Sequence, residues 1–318
     1  MREIAAGLYL NEFGSPWKPV SSSRLSHGAM LTSALVEGRD FLRARSEAKR
    51  RAAMPEGTPV KLVWTREDDI QSDYLHTVSA EHLEASVGAG GQVQSWLHRS
   101  ASPSMAALFD EGIKSQQLPE SGMGAINMPY RIPHVRVETT EAVAHTRVGW
   151  FRAVANIPHA FAAQSFIAEL AHRAGKDHRA FALDLIGPPR QIDPRTMDDT
   201  WNYTESPERY PYDTGRLRGV IDAVCKGAGW GRKLPKGRGL GLAFCYSFMS
   251  YAATVVEVEV GSDGTVKVVA MDMALDCGPQ INPERIRAQL EGGAIMGLGL
   301  ALLGEITFAK GRVVQIGR

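Results

Sequence analysis

Two strand-turn-strand patterns constrain the fold of this chain more than any other feature. From Ala253 to Val260, the residues Val256, Val258 and Val260 alternate with Glu257 and Glu259. Ser262-Asp263-Gly264 then supplies a turn before a second apolar run, Val266 to Leu275. A period of two marks a strand with one face buried and one wet, so the valines are expected inward and the glutamates outward. The same design stands earlier, in Ser79 to Val87, a glycine-rich turn at 88–91, and Val93 to His98. One hairpin in each half predicts two related sheet-bearing units.

Helices are expected between and after the hairpins. Phe161 to Ala174 places Phe166, Ile167, Leu170, Ala171 and Ala174 on one stripe and stops at Gly175. Asp213 to Ala228 does the same with Leu217, Val220, Ile221 and Val224 before Gly229. A third helix has Asn282 as cap, Pro283 in its first position and Glu284 complementing its dipole. Strands and helices interleave without a regular βαβ rhythm, which predicts an α+β fold of two sheet-bearing units packed with helices.

Changes of texture divide the chain. Residues 1–53 form an atypical amino-terminal segment with scattered Gly, Ser and Pro, and their basic run reads as a solvated helix from Phe41 to Ala53. The first unit is expected over 54–186, opening with a buried strand at Val60 to Thr65. The proline-rich stretch 187–211 is the candidate linker, and the second unit covers 212–318.

Charge and cysteine usage exclude several functions. Lys plus Arg number 36 against 35 for Asp plus Glu, so no excess of positive charge exists to neutralise nucleic acid. No apolar run reaches the roughly 18 residues that a membrane span needs. Cys225, Cys245 and Cys277 lack the paired spacing of a zinc site and read as small buried residues, too few for an iron-sulfur cluster in this chain. The histidines form no His-x-x-x-His pair beside a carboxylate, and His159 and His172 read as partly buried helix-face residues rather than ligands.

Three segments point to chemistry. Arg152 stands among large apolar residues in Val148-Gly-Trp-Phe-Arg-Ala-Val-Ala-Asn156, where a permanent charge calls either for a partner carboxylate or for an anionic ligand. Gly292, Gly293, Gly297 and Gly299 crowd into the third helix just after Gln289 and Glu291. Glycine is disfavoured inside a helix by about 1 kcal/mol, so close approach by a backbone or a bulky ligand would justify them; a tightly packed helix with its two polar residues facing out is the alternative. The run Lys236-Gly-Arg-Gly-Leu-Gly-Leu-Ala-Phe244 has the glycines of a dinucleotide loop but leads toward a strand, so it reads as a turn into a sheet.

Taken in order, several of these segments resemble the molybdenum hydroxylase large subunit of the xanthine dehydrogenase and aldehyde oxidase family, in its isoquinoline 1-oxidoreductase beta-subunit type. The matching runs are Pro59-Val-Lys-Leu-Val-Trp-Thr-Arg-Glu-Asp-Asp69, Gly149 to Phe161, Gln164 to Ala171, Gly175-Lys-Asp177, Gly237-Arg-Gly239, Asp276-Cys-Gly278 and Asn282-Pro283 through Gly293. The resemblance covers residues 54 to 315. It implies that Arg152 is the arginine that steers substrate and stabilises negative charge, and that Gln289 bonds a pyranopterin with Glu291, Gly292 and Gly293 beside it.

The implied cofactor is molybdopterin cytosine dinucleotide with molybdenum, and the implied partner is a small subunit with two two-iron, two-sulfur clusters. The implied reaction hydroxylates an electron-poor carbon of an N-heteroaromatic ring or an aldehyde, with water as oxygen source and a glutamate as base. The family places that glutamate beyond the part matching Gly311-Arg-Val-Val-Gln315, and a glycine-rich segment before Val60, so no residue here takes either role. A folded, inactive fragment is therefore the alternative to a working subunit. A soluble protein is expected, cytoplasmic with the periplasm as alternative.

Overall fold

The computed structural model describes residues 2–10, 74–144, 146–309 and 312–315, together with 63, 65–67 and 70. Two antiparallel hairpins form where the alternation predicts them. The first joins β2 (Ala80–Val87) to β3 (Val93–Ala101), with β1 (Arg2–Leu10) on the outer side of β2 and β4 (His134–Thr140) running parallel to β3. Gly91, at φ 76°, closes the turn by donating to the Gly88 carbonyl. Strand β1 comes from the segment set apart as atypical, whereas the expected helix from Phe41 to Ala53 falls outside the described residues.

After the first sheet come helix α2 (Asn156–Arg173), preceded by the single turn α1 (Leu118–Ser121), and helix α3 (His178–Ile186). A two-stranded ribbon of β5 (Gln191–Ile192) and β6 (Tyr212–Asp213) follows and leads into α4 (Thr214–Gly227). The second sheet is the meander β7 (Arg238–Ser247), β8 (Ser250–Val260) and β9 (Val266–Asp276). Helix α5 (Pro283–Leu302) and the ribbon of β10 (Phe308–Ala309) and β11 (Arg312–Val313) complete the fold. The mixed order is α+β, with Gly237 (φ 87°) turning the chain into β7 rather than into a helix.

One core runs through both sheets. Phe166, Ile167 and Leu170 on α2 and Leu217 and Ile221 on α4 are fully buried and join Leu83, Trp96, Phe244 and Val255 in a single cluster. Each such side chain contributes about 1.5–3 kcal/mol of burial. Gln164 stitches α2 to the surrounding strands and loops: its amide donates to the Tyr130 hydroxyl (3.1 Å) and its carbonyl accepts from Phe244 N–H (3.1 Å). The stretch 187–211 contributes Tyr203 to this core and buries Asp199 and Asn202.

Several expectations need correction. Helix α2 begins five residues before Phe161, because Pro158 is tolerated in a first turn where no backbone donor is required. Ala174 and His172 are exposed, while His159 is fully buried. The buried strand expected at Val60 to Thr65 falls mostly outside the described residues, and Val63 and Thr65 are exposed and in no strand. Cys225 is buried as expected, but Cys245 and Cys277 are only half-buried.

The phase of β8 is inverted. Its buried face holds Tyr251, Ala253, Val255 and Glu257, whereas Val256 and Val258 are half-buried and Val260 is exposed. Glu257 tolerates this position because Arg232 (2.5 Å) and Arg238 (3.3 Å) both reach its carboxylate. A buried charge persists only when paired in this way.

Candidate functional site

The local sequence of α5 accounts for its start. Asn282 accepts from Arg285 N–H at 3.1 Å, Pro283 opens the first turn and Glu284 lies at the positive end of the dipole. The approach is fixed by Asp276 at the end of β9. Arg216 of α4 grips its carboxylate with Nε (2.9 Å) and Nη2 (2.7 Å), and Gly278 N–H donates to the same group at 3.0 Å. The hydrogen bond from Arg216 holds the Asp276 carboxyl below its ordinary value. Helix α5 buries none of its residues within the chain, and Ile295 is 71% exposed despite its apolar side chain. A helix with apolar residues around its circumference is normally covered.

Arg152 meets this helix from the loop that precedes α2. Ala153 (φ 73°) and Val154 (φ 50°) turn left-handed, and the guanidinium projects out toward α5. Its Nη2 donates to the main-chain carbonyl of Gln289 at 2.9 Å. A Cβ built on Gly293 would lie 3.5 Å from Nη2, and one on Gly292 would lie 3.7 Å from Nη1. The arginine thus lies along the glycine face, 137 residues from its acceptor in sequence.

The protein partner of Arg152 is a main-chain carbonyl rather than the carboxylate that one sequence alternative called for. The residue is exposed, and among the described residues no carboxylate pairs with it. One bond uses one of five guanidinium N–H donors, and the acceptor keeps a lone pair for the helix. Gln289 and Glu291 both have exposed side chains, so Gln289 engages Arg152 through its backbone alone. The structure therefore brings Arg152, Gln289, Gly292 and Gly293 together, while among the described residues no hydrogen bond or ion pair joins Glu291, on the same turn, to Arg152.

This arrangement fits a flat, anionic group. Gly297 and Gly299 face open space within 4 Å, which extends the surface free of Cβ atoms beyond Gly293. A planar heterocycle can lie against backbone only where side chains are absent, and a guanidinium beside it supplies donors to phosphate or to an oxyanion. Among the described residues no group of three or more His, Cys, Asp or Glu is placed to hold a metal ion directly. No helix among them is long and apolar enough to cross a membrane.

Sequence reading overlooked a buried polar cluster beneath the first sheet. Glu81 accepts from His98 Nε2 (2.9 Å) and from the Ser100 hydroxyl (2.9 Å), and the His98 and His159 rings stand 5.5 Å apart, edge to face. Its signal was strand parity: Glu81 shares the inward face of β2 with Leu83 and Ala85.

Residues 50–183 and 223–317 match two families, each described as a molybdopterin cofactor-binding domain. The chain is 27% identical to the isoquinoline 1-oxidoreductase subunit beta of Brevundimonas diminuta, over 80% of this chain and 30% of that protein. It is 26% identical to a protein of Gluconacetobacter polyoxogenes named membrane-bound aldehyde dehydrogenase [pyrroloquinoline-quinone], over 81% of this chain and 34% of that one. It thus spans about a third of the length of these relatives. The crystal structure of quinoline 2-oxidoreductase from Pseudomonas putida 86 shares the fold, with a TM-score of 0.57 at 13% identity over 80% of this chain and 54% of that one.

Proposed function

The chain belongs to the molybdopterin-binding large-subunit family of the molybdenum hydroxylases, and from that premise we propose that Arg152 and the glycine face of α5 form one wall of a pterin site in a hydroxylase of N-heteroaromatic compounds or aldehydes. The observation that carries this reading is the Arg152 guanidinium laid along Gly292 and Gly293 and bonded to the Gln289 carbonyl. When bound, the molybdenum-pterin group supplies two-electron oxidation of an electron-poor carbon, with water as the source of oxygen.

The residues of this chain bind and orient. Gly292 and Gly293 admit a flat ring to the helix surface, and the Gln289 side chain, exposed on the preceding turn, is set to hydrogen-bond a heterocycle edge as both donor and acceptor. The Gln289 carbonyl fixes one arm of the arginine. The other arm is then directed at negative charge on a phosphate or on the substrate oxygen as it develops, where a fixed cation needs little reorganisation. We assign the base to no residue of this chain.

Two finer features belong to the same reading. The cofactor is the cytosine dinucleotide form, and the electron acceptor is a separate subunit carrying two-iron, two-sulfur clusters, for which the three dispersed cysteines here supply no ligand set. The substrate classes follow from the names of the relatives, one acting on isoquinoline and one on aldehydes.

Metal and pterin analysis of the purified protein tests the proposal. Expected are one molybdenum and one pterin per chain, with cytidine monophosphate released on acid hydrolysis. In Gln289→Ala both should fall together, whereas Arg152→Ala should lower turnover more than cofactor content. Full pterin content in Gln289→Ala would remove the side chain from the site, and absence of pterin from the parent protein would overturn the reading.

A further inference from the structure

The loop carrying Arg152 is strained. Ala153 and Val154 both occupy the left-handed region, which a β-branched residue such as Val154 adopts only when its surroundings enforce it. Segment 74–77 lies against this loop. Leu75 N–H donates to the Arg147 carbonyl and Gly149 N–H donates to the Leu75 carbonyl, both at 2.9 Å.

His76 extends that grip. Its Nε2 lies 3.2 Å from the Val154 carbonyl, its Nδ1 lies 2.9 Å from the Thr77 carbonyl, and its ring stands edge-on to Phe151 at 5.8 Å. Both partners are carbonyl oxygens, which only accept. With its N–H on Nε2 the ring donates to the Val154 carbonyl across 78 residues of sequence. Thr77 is itself buried, with its Oγ1 accepting from the Ser102 hydroxyl at 3.2 Å, so the far end of the bridge is anchored beside β3.

We propose that His76 is a positioning residue for Arg152. Its ring N–H holds the Val154 carbonyl against segment 74–77 and so maintains the left-handed turn that presents Arg152 to Gln289. Arg147 is stacked over the Tyr74 ring at 4.9 Å. The inference rests on the proposed role of Arg152 only for its functional meaning; the latch itself is a property of the chain without cofactor.

The test is amide hydrogen exchange on the full chain. Amides 151–156 should show high exchange protection in the wild type. In His76→Ala that protection should fall about tenfold, with protection of α4 unchanged. In His76→Gln, whose amide N–H can donate to the Val154 carbonyl, protection should be retained. Wild-type protection in His76→Ala would overturn the latch, as would an equal loss in His76→Gln and His76→Ala. If His76→Ala does not fold, the His76→Gln profile against the wild type decides the question. Pterin content in Gln289→Ala is a separate measurement, so the latch and the pterin reading can fail independently.

Discussion

The Arg152 guanidinium donates from Nη2 to the main-chain carbonyl of Gln289 at 2.9 Å, joining the strained loop before α2 to the glycine face of α5. Because the acceptor is backbone, substitution at position 289 leaves this contact in place. Substitutions at the glycines therefore report on the face alone.

Gly293→Ala separates helix stability from ligand fit. The added Cβ would lie 3.5 Å from Arg152 Nη2, an ordinary contact, and alanine favours a helix over glycine by about 1 kcal/mol. Thermal stability should hold or rise slightly while the pterin content of the purified protein falls. Differential scanning calorimetry and pterin fluorescence check the two arms, and undiminished pterin would place the ring elsewhere.

Gly149→Ala should disturb the arginine loop from its other side. A Cβ there would lie 2.6 Å from the Cβ of Tyr74, an atom held by the backbone and unable to swing away. Overpacking of this kind typically costs about 1–3 kcal/mol. Urea unfolding should show that loss, and hydrogen exchange should show reduced protection across 148–156.

Glu257 sets the phase of β8 and should be sensitive to how it is replaced. Glu257→Ala removes the partner of Arg232 and Arg238, whose side chains are 39% and 34% exposed and so keep part of their hydration. With that screening the loss is about 1–3 kcal/mol, below that of a fully buried pair. Glu257→Met, which fills the volume, should lose less, as compared by urea midpoints.

Acid should destabilise the protein in two steps through the cluster under the first sheet. Burial holds His159 below its ordinary 6.5, outweighing the opposing influence of Glu81, so the unfolded chain binds a proton that the folded chain refuses. Stability therefore falls as pH drops below 6.5. Burial raises the Glu81 carboxyl, but the hydrogen bond from His98, the electrostatic influence of His159 and His98, and the Ser100 hydroxyl bring it below its ordinary 4.5. Its contribution is present above 4.5 and is lost as pH falls through the folded value. Urea midpoints against pH should show both steps, and His159→Gln should flatten the first.

Much of the fold was legible because periodicity is a local property. Alternation located both hairpins, the apolar stripe Leu217, Val220, Ile221 and Val224 located α4, and the Asn282 cap marked the start of α5. The face of β8 was not legible. Alternation distinguishes two faces without saying which meets the core, and Tyr251, Ala253 and Val255 compete with Val256 and Val258 on equal terms. Helix α4 packed across the sheet and Arg232 reaching Glu257 decided the matter. Glu81 belonged to an inward set in the sequence itself, but the imidazoles that make its burial tolerable came from another strand and a helix.

The sequence by itself determined the α+β character, the glycine-rich helix and the candidacy of Arg152, since each rests on residue type and spacing along the chain. Only the tertiary structure decided that Arg152 reaches the Gln289 backbone rather than a carboxylate, and that His76 holds the Val154 carbonyl across 78 residues. Such contacts depend on how distant segments pack, and neither partner carries a mark of the other in its local sequence.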